Sequence, residues 1–139
     1  MNDDAARLIH TLLQQLATVF AREFDQILQE QLGVGYSQYK ILAALAGNPA
    51  MLQKRIAFEL GQTEASVSRQ ARLLQREGFI ENKINPKNRR EHLLRLSPKG
   101  QRITDAALEI LHAYQQESLR HMPRKERAQL LELLSRVHR

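Results

Sequence analysis

The 139-residue sequence contains no cysteine, which excludes disulfides, thiolate metal sites, thiol nucleophiles and cysteine redox sensing. It lacks any uninterrupted apolar stretch near the ~18 residues of a membrane span. It opens on Asn2, Asp3 and Asp4 rather than on a basic region followed by an apolar run. These absences lead us to expect a cytoplasmic protein with no membrane contact. No low-complexity segment, internal repeat or long linker interrupts the chain, so a single domain over residues 1–139 is expected. Enzymatic constellations are missing as well. There is no nucleophile elbow, phosphate-binding glycine loop or HExxH, and the acids are scattered. The five histidines form no cluster, and His112 and His121 fall off the i, i+4 spacing of a compact ligand pair. A non-enzyme without metal or cofactor is the expectation.

What is present is positive charge, concentrated in the middle. The chain carries +6 overall. Between Gln53 and Arg102 stand twelve Lys and Arg against five acids, a balance of +7, which leaves −1 for the remainder. A basic centre between nearly neutral ends suggests a polyanion-binding module on a scaffold with another purpose.

Within that centre, Thr63 to Gly78 (TEASVSRQARLLQREG) reads as a helix with two faces. At about 100° per residue, Val67, Ala71 and Leu74 fall on one side and Arg69, Arg72 and Arg76 on the other. Such a cationic ridge fits an anionic groove. The helix before it, about Gln53 to Leu60, turns Ile56, Ala57 and Leu60 inward. Small Ala57, permissive Gly61 and apolar Val67 together describe a helix-turn-helix corner.

Upstream, Asp3 to about Gln31 carries apolar residues at spacings of three and four, with no Gly or Pro before Gly33. This predicts one amphipathic helix of roughly 40 Å. Its stripe is wide enough to ask for a second subunit. Ser37 is placed to cap the next helix, Gln38 to Ala46, whose inner face is Ile41, Leu42 and Leu45. Downstream, Phe79 to Ile84 and His92 to Leu96 show strand-like alternation. The turn-rich Asn85 to Glu91 between them holds Lys87, Arg89 and Arg90. Two strands with a basic tip form a wing, and arginine at such a tip suits a narrow minor groove. Ser97 and Pro98 begin another long helix, running to about Arg120. A last helix, about Arg124 to Val137, presents Leu130, Leu131, Leu133, Leu134 and Val137 with little chain left to cover them, which suggests a subunit contact.

This order of elements, and above all GQTEASVSRQARLLQREGFIENKINPKNRREHLLRLSPKGQRI, resembles the MarR family of bacterial transcription regulators over essentially the whole chain. The resemblance implies a mainly α fold with a small two-stranded antiparallel wing. Residues 36–100 would form the winged helix-turn-helix, and residues 1–34 and 101–139 the dimerisation helices. It further implies a DNA-binding regulator, in the form of a repressor, working as a homodimer on a pseudo-palindrome of double-stranded DNA with half-sites ~10 bp apart. On that basis Thr63, Ala65, Ser66 and Arg69 are assigned to base edges, with Ser68 at the margin of that face. Arg72 and Arg76, with Ser37, Gln38 and Lys54 near helix starts, are assigned to phosphates. Arg90 is assigned to the minor groove, with Lys87 and Arg89 beside it. The family's small, often aromatic releasing ligands imply a crevice near Tyr36, Tyr39 and Ile41. Several residues depart from the family pattern. Asn85 and Asn88 stand where acids are usual, Gln70 replaces an aliphatic residue, Leu73 a polar one and Arg72 an acid. The competing reading is a winged helix used as a protein-interaction module, for which an apolar wing tip would be expected instead of three cations.

Overall fold

The computed structural model describes residues 2–138. Among the described residues, nine elements run in the order α1 (Asn2–Leu32), α2 (Tyr36–Leu45), β1 (Met51–Leu52), α3 (Gln53–Leu60), α4 (Glu64–Arg76), β2 (Ile80–Asn85), β3 (Asn88–Leu96), α5 (Pro98–Ser118) and α6 (Arg124–Ser135). They fall into two compact units, Met1–Ala107 and Leu108–Arg139.

In the first unit the core is built by the helix faces that periodicity selects. Ile41, Leu42 and Leu45 of α2, Ile56 and Ala57 of α3, and Val67, Ala71 and Leu74 of α4 are all buried, joined by Phe79, Ile80 and Leu94. Burying residues of this kind contributes about 1.5–3 kcal/mol each, so this cluster is what fixes α4 on its neighbours. The start of α2 differs from expectation. Ser37 lies inside the first turn, exposed, and is not the cap. The Gly35 N–H donates to Gln38 Oε1 (3.0 Å) and the Tyr36 N–H to Asp25 Oδ1 (2.8 Å). Two side chains, one reached from α1, thus satisfy donors that a helix start otherwise leaves unpaired.

The sheet has three strands in the order β1-β3-β2, all antiparallel. The two-residue β1 pairs Met51 with Leu94 and Leu52 with Leu93, and anchors the wing to the chain just before α3. In the hairpin, Ile80 faces Leu96 and Ile84 faces His92, but the next pair is Asn85 with Asn88. Arg89, Arg90 and Glu91 therefore sit in a bulge with no counterpart on β2. The turn is tighter than its composition suggests, because Pro86 and Lys87 alone connect the strands, and the two arginines belong to β3. Ile84 is 59% exposed, beyond the reach of the core.

The junction after the wing is held by Ser97. Its Oγ accepts from the Gly100 N–H (3.0 Å) and donates to the Gly78 carbonyl, while its own N–H donates to the Phe79 carbonyl (3.0 Å). This bears out Ser97 as the cap of α5.

In the second unit, the end of α5 and the start of α6 are joined through Arg127. Its guanidinium donates to the carbonyls of Met122 (2.8 Å) and Leu119 (2.6 Å) and to Gln116 Oε1 (3.1 Å). No residue of α6 is buried. Leu130, Leu131, Leu133, Leu134 and Val137 are all exposed, Leu131 at 72%. On α1, likewise, Leu8, Ile9, Leu12, Leu16 and Val19 are exposed. Among the described residues, no helix is long and apolar enough to cross a membrane.

Candidate nucleic-acid interface

The interface is assembled from the corner between α3 and α4 and from the wing. Gly61 ends α3 with φ 64° and ψ 31°, the left-handed region that a side chain disfavours by roughly 1–2 kcal/mol. The Gln62 N–H then reaches the Ala57 carbonyl (2.9 Å) and the Gly61 N–H that of Phe58 (3.2 Å), which closes the helix end and redirects the chain. Thr63 caps α4, its Oγ1 accepting from the Ser66 N–H at 3.1 Å. Val67 is fully buried and Ala57 nearly so. The three-residue signature of the corner is therefore realised by packing, backbone conformation and capping together.

With its apolar face buried, α4 turns Arg69, Arg72 and Arg76 to solvent. Arg72 bends back along the helix, its Nη2 lying 3.4 Å from Ser68 Oγ. Among the described residues, no intramolecular hydrogen bond or ion pair engages the side chains of Arg69, Arg76, Lys87, Arg89 or Arg90. Charged groups left without partners on a folded surface keep their full capacity for an external anion. Ala65 and Ser66 lie in the first turn of α4 beside Thr63. Ser37 and Gln38 lie in the first turn of α2, where Gln38 is partly committed to Gly35.

Lys54, in the first turn of α3, is not free. Its Nζ is 3.4 Å from Glu91 Oε1. Glu91 also receives the side-chain amides of Asn88 (3.2 Å to Oε1) and Asn85 (3.5 Å to Oε2). Each asparagine uses its carbonyl oxygen locally, Asn85 Oδ1 for the Lys87 N–H and Asn88 Oδ1 for the Arg90 N–H, both at 3.1 Å. Asn88 thus steadies Arg90 through its backbone and leaves the guanidinium unheld. Leu52, Gln53, Lys54, Glu64, Arg90, Glu91 and His92 enclose a small cleft of about 80 Å³ between the wing and the helix starts.

The residues assigned to a ligand crevice separate. Tyr36 and Tyr39 stack at 6.2 Å, and Phe24 meets the edge of Tyr36 at 5.3 Å, with Phe20 stacked beyond it at 6.2 Å. Burial, and secondarily Tyr36, pushes the Tyr39 phenol above the usual tyrosine range. Ile41 is fully buried in the core, which corrects its placement on a crevice wall, since packing occupies its side chain. A separate cleft of about 280 Å³ opens where α1, α2 and α4 meet, lined by Asp25, Gln29, Gly35, Ser37, Gln38, Gln70 and Leu73. Sequence reasoning missed Asp25 and Gln29 here. The signal available was the pair Gln70 and Leu73, two of the positions that depart from the family pattern.

Residues 32–91, which span the corner and the wing through its bulge, match the sequence model of the MarR family. Over this stretch the chain is similar to the MarR family. A curated relative, the HTH-type transcriptional regulator BilQ of Clostridium symbiosum, is 24% identical over 123 residues, covering 86% of this chain and 85% of its own. Among solved structures, a mutant MarR from E. coli complexed with operator DNA aligns with a TM-score of 0.77 at 23% identity, covering 96% of this chain and 93% of that one. The transcriptional repressor CouR, bound to a 23-mer DNA duplex, aligns with a TM-score of 0.83 at 22% identity, covering 98% of this chain and 96% of its own. These MarR-like structures share the fold described above, wing included.

Proposed function

We propose that this protein is a sequence-specific DNA-binding transcription regulator of the MarR family, a repressor and not an enzyme, acting as a homodimer on a pseudo-palindromic operator. The observation that carries this reading is the set of unpartnered cations, Arg69 and Arg76 on α4 and Lys87, Arg89 and Arg90 on the wing, displayed by a packed helix-turn-helix. In this reading Arg69, Thr63, Ala65 and Ser66 meet base edges, with Ser68 beside them. The Thr63 hydroxyl accepts from Ser66 and still has its own proton to donate. Arg72, Arg76, Ser37, Gln38 and Lys54 meet phosphates, and Arg90, flanked by Lys87 and Arg89, enters the minor groove. The DNA-bound states of the E. coli MarR mutant and of CouR support the same use of the fold.

Dimerisation is supported by the exposed apolar stripes of α1 and α6, which a lone copy leaves in water at a cost of about 25 cal/mol per Å². A small releasing ligand is part of the proposal. The cleft joining α1, α2 and α4 touches the recognition helix through Gln70 and Leu73, so an occupant there would bear directly on α4. Asp25 and the side-chain amides that line it favour a neutral or cationic group over a carboxylate.

The test is a salt titration of binding to random duplex. With six or more phosphate contacts per dimer, affinity should fall by about 10³-fold or more between 50 and 200 mM salt. A nearly flat dependence would count against DNA and favour the protein-interaction reading.

A further inference from the structure

The wing contains one carboxylate within its bulge, and three donor side chains, Lys54, Asn85 and Asn88, converge on it. Glu91 Oε1 receives Lys54 Nζ and Asn88 Nδ2, and Oε2 receives Asn85 Nδ2. The Glu91 side chain is 21% exposed, so these contacts are partly shielded from water and are stronger than they would be on an open surface. Lys54 lies 37 residues from Glu91 in sequence, at the start of α3, and its ion pair ties the hairpin to the helix-turn-helix. The asparagines are two-ended clips. The carbonyl end of each fixes a backbone N–H at the turn or bulge, and the amide end donates to Glu91. An amide has both an acceptor and a donor for these two duties, whereas an ionised carboxylate has acceptors alone. An aspartate at position 88 would keep the acceptor but set a second carboxylate against Glu91.

We propose that Glu91 is the positioning residue of the wing: its carboxylate gathers Asn85, Asn88 and Lys54, and so fixes the bulge that presents Arg89 and Arg90. The inference rests on the DNA-binding reading only for what those arginines are presented to. The geometry also explains why amides occupy positions 85 and 88. The negative charge of the bulge is held once, at Glu91, and the side chains that meet it are donors.

The test compares wild type with Asn88→Asp, Asn88→Asp/Glu91→Gln and Asn88→Asp/Glu81→Gln. The two double variants have the same net charge as wild type. Glu81 pairs with Arg95 at 2.6 Å and has no contact with the bulge, so it controls for charge alone. Two readouts are taken: amide hydrogen exchange of residues 87–92 in the free protein, and affinity for a short random-sequence duplex. Asn88→Asp should speed exchange in the bulge, leave α3 and α4 protected, and weaken binding by about 5-fold. Adding Glu91→Gln should reverse both effects, because a glutamine amide can donate to the carboxylate introduced at position 88, whereas adding Glu81→Gln should reverse neither. Unchanged exchange in Asn88→Asp, or equal rescue by Glu81→Gln, overturns the proposal. If exchange follows the expected pattern while wild type itself binds no duplex, wing positioning stands and the DNA reading falls.

Discussion

Replacing Gly100 with alanine sets a methyl group where the backbone of Phe79 already lies. A Cβ built at Gly100 falls 1.8 Å from the Phe79 carbonyl oxygen, 2.8 Å from its carbon and 3.2 Å from its Cα. Neither side can yield freely. Phe79 O accepts the Ser97 N–H, Ser97 Oγ holds the Gly100 N–H, and Thr104 Oγ1 donates to the Gly100 carbonyl at 2.7 Å. Relief requires the start of α5 to move off the chain at Phe79 by roughly 1.6 Å, to reach ordinary contact. Overpacking costs about 1–3 kcal/mol, and losing one hydrogen bond between Ser97 and Phe79 adds about 1 kcal/mol. We expect a total of about 3 kcal/mol. Gly61→Ala is the informative contrast. It meets open space and suffers only from its φ of +64°, a penalty of about 1–2 kcal/mol. Urea unfolding followed by circular dichroism, at one fixed protein concentration, measures both. With m of about 1–3 kcal/mol per molar, Gly100→Ala should lower the midpoint by roughly 1–3 M and Gly61→Ala by less. Equal midpoints, or the reverse order, would refute the steric account.

Arg69→Ala should relax discrimination at one base position by about 1–3 kcal/mol, while Arg76→Ala should weaken operator and random DNA alike; equal losses on both DNAs from both variants would reject the division between base and phosphate roles. Leu16→Glu and Leu131→Glu alter side chains that are already exposed, so helicity should persist while sedimentation shifts toward a monomer, and an unchanged assembly state would exclude those stripes from the dimer. Because the folded-state pKa of Tyr39 is raised by burial, its contribution to stability is complete below the unfolded tyrosine value near 10 and is lost as pH rises beyond it. Tyr39→Phe should flatten that alkaline decline, which stability measurements across pH 9 to about 12 would reveal.

The helix-turn-helix was legible because its signals are local. Ala57, Gly61 and Val67 lie within one corner, and the helical period alone separates Val67, Ala71 and Leu74 from the arginines. The wing was half legible. Alternation marked its strands, but loop-like composition concealed that Arg89 and Arg90 belong to a bulged strand, and two residues of β1 are too short to leave a period. Ser37 looked like a cap because hydroxyls often are, whereas the work is done by Gln38 and by Asp25, eleven residues before Tyr36. The pairing of Lys54 with Glu91 is tertiary, and no spacing rule points to it. Ile41 carried two readings, core face and crevice, and burial decides for the core.

The most direct test of the central claim is selection of bound sequences from a random pool of DNA duplexes. We expect an enriched pseudo-palindrome whose half-sites lie about one helical turn, ~10 bp, apart from centre to centre. A pool that shows no enrichment over its starting composition would contradict sequence-specific DNA binding.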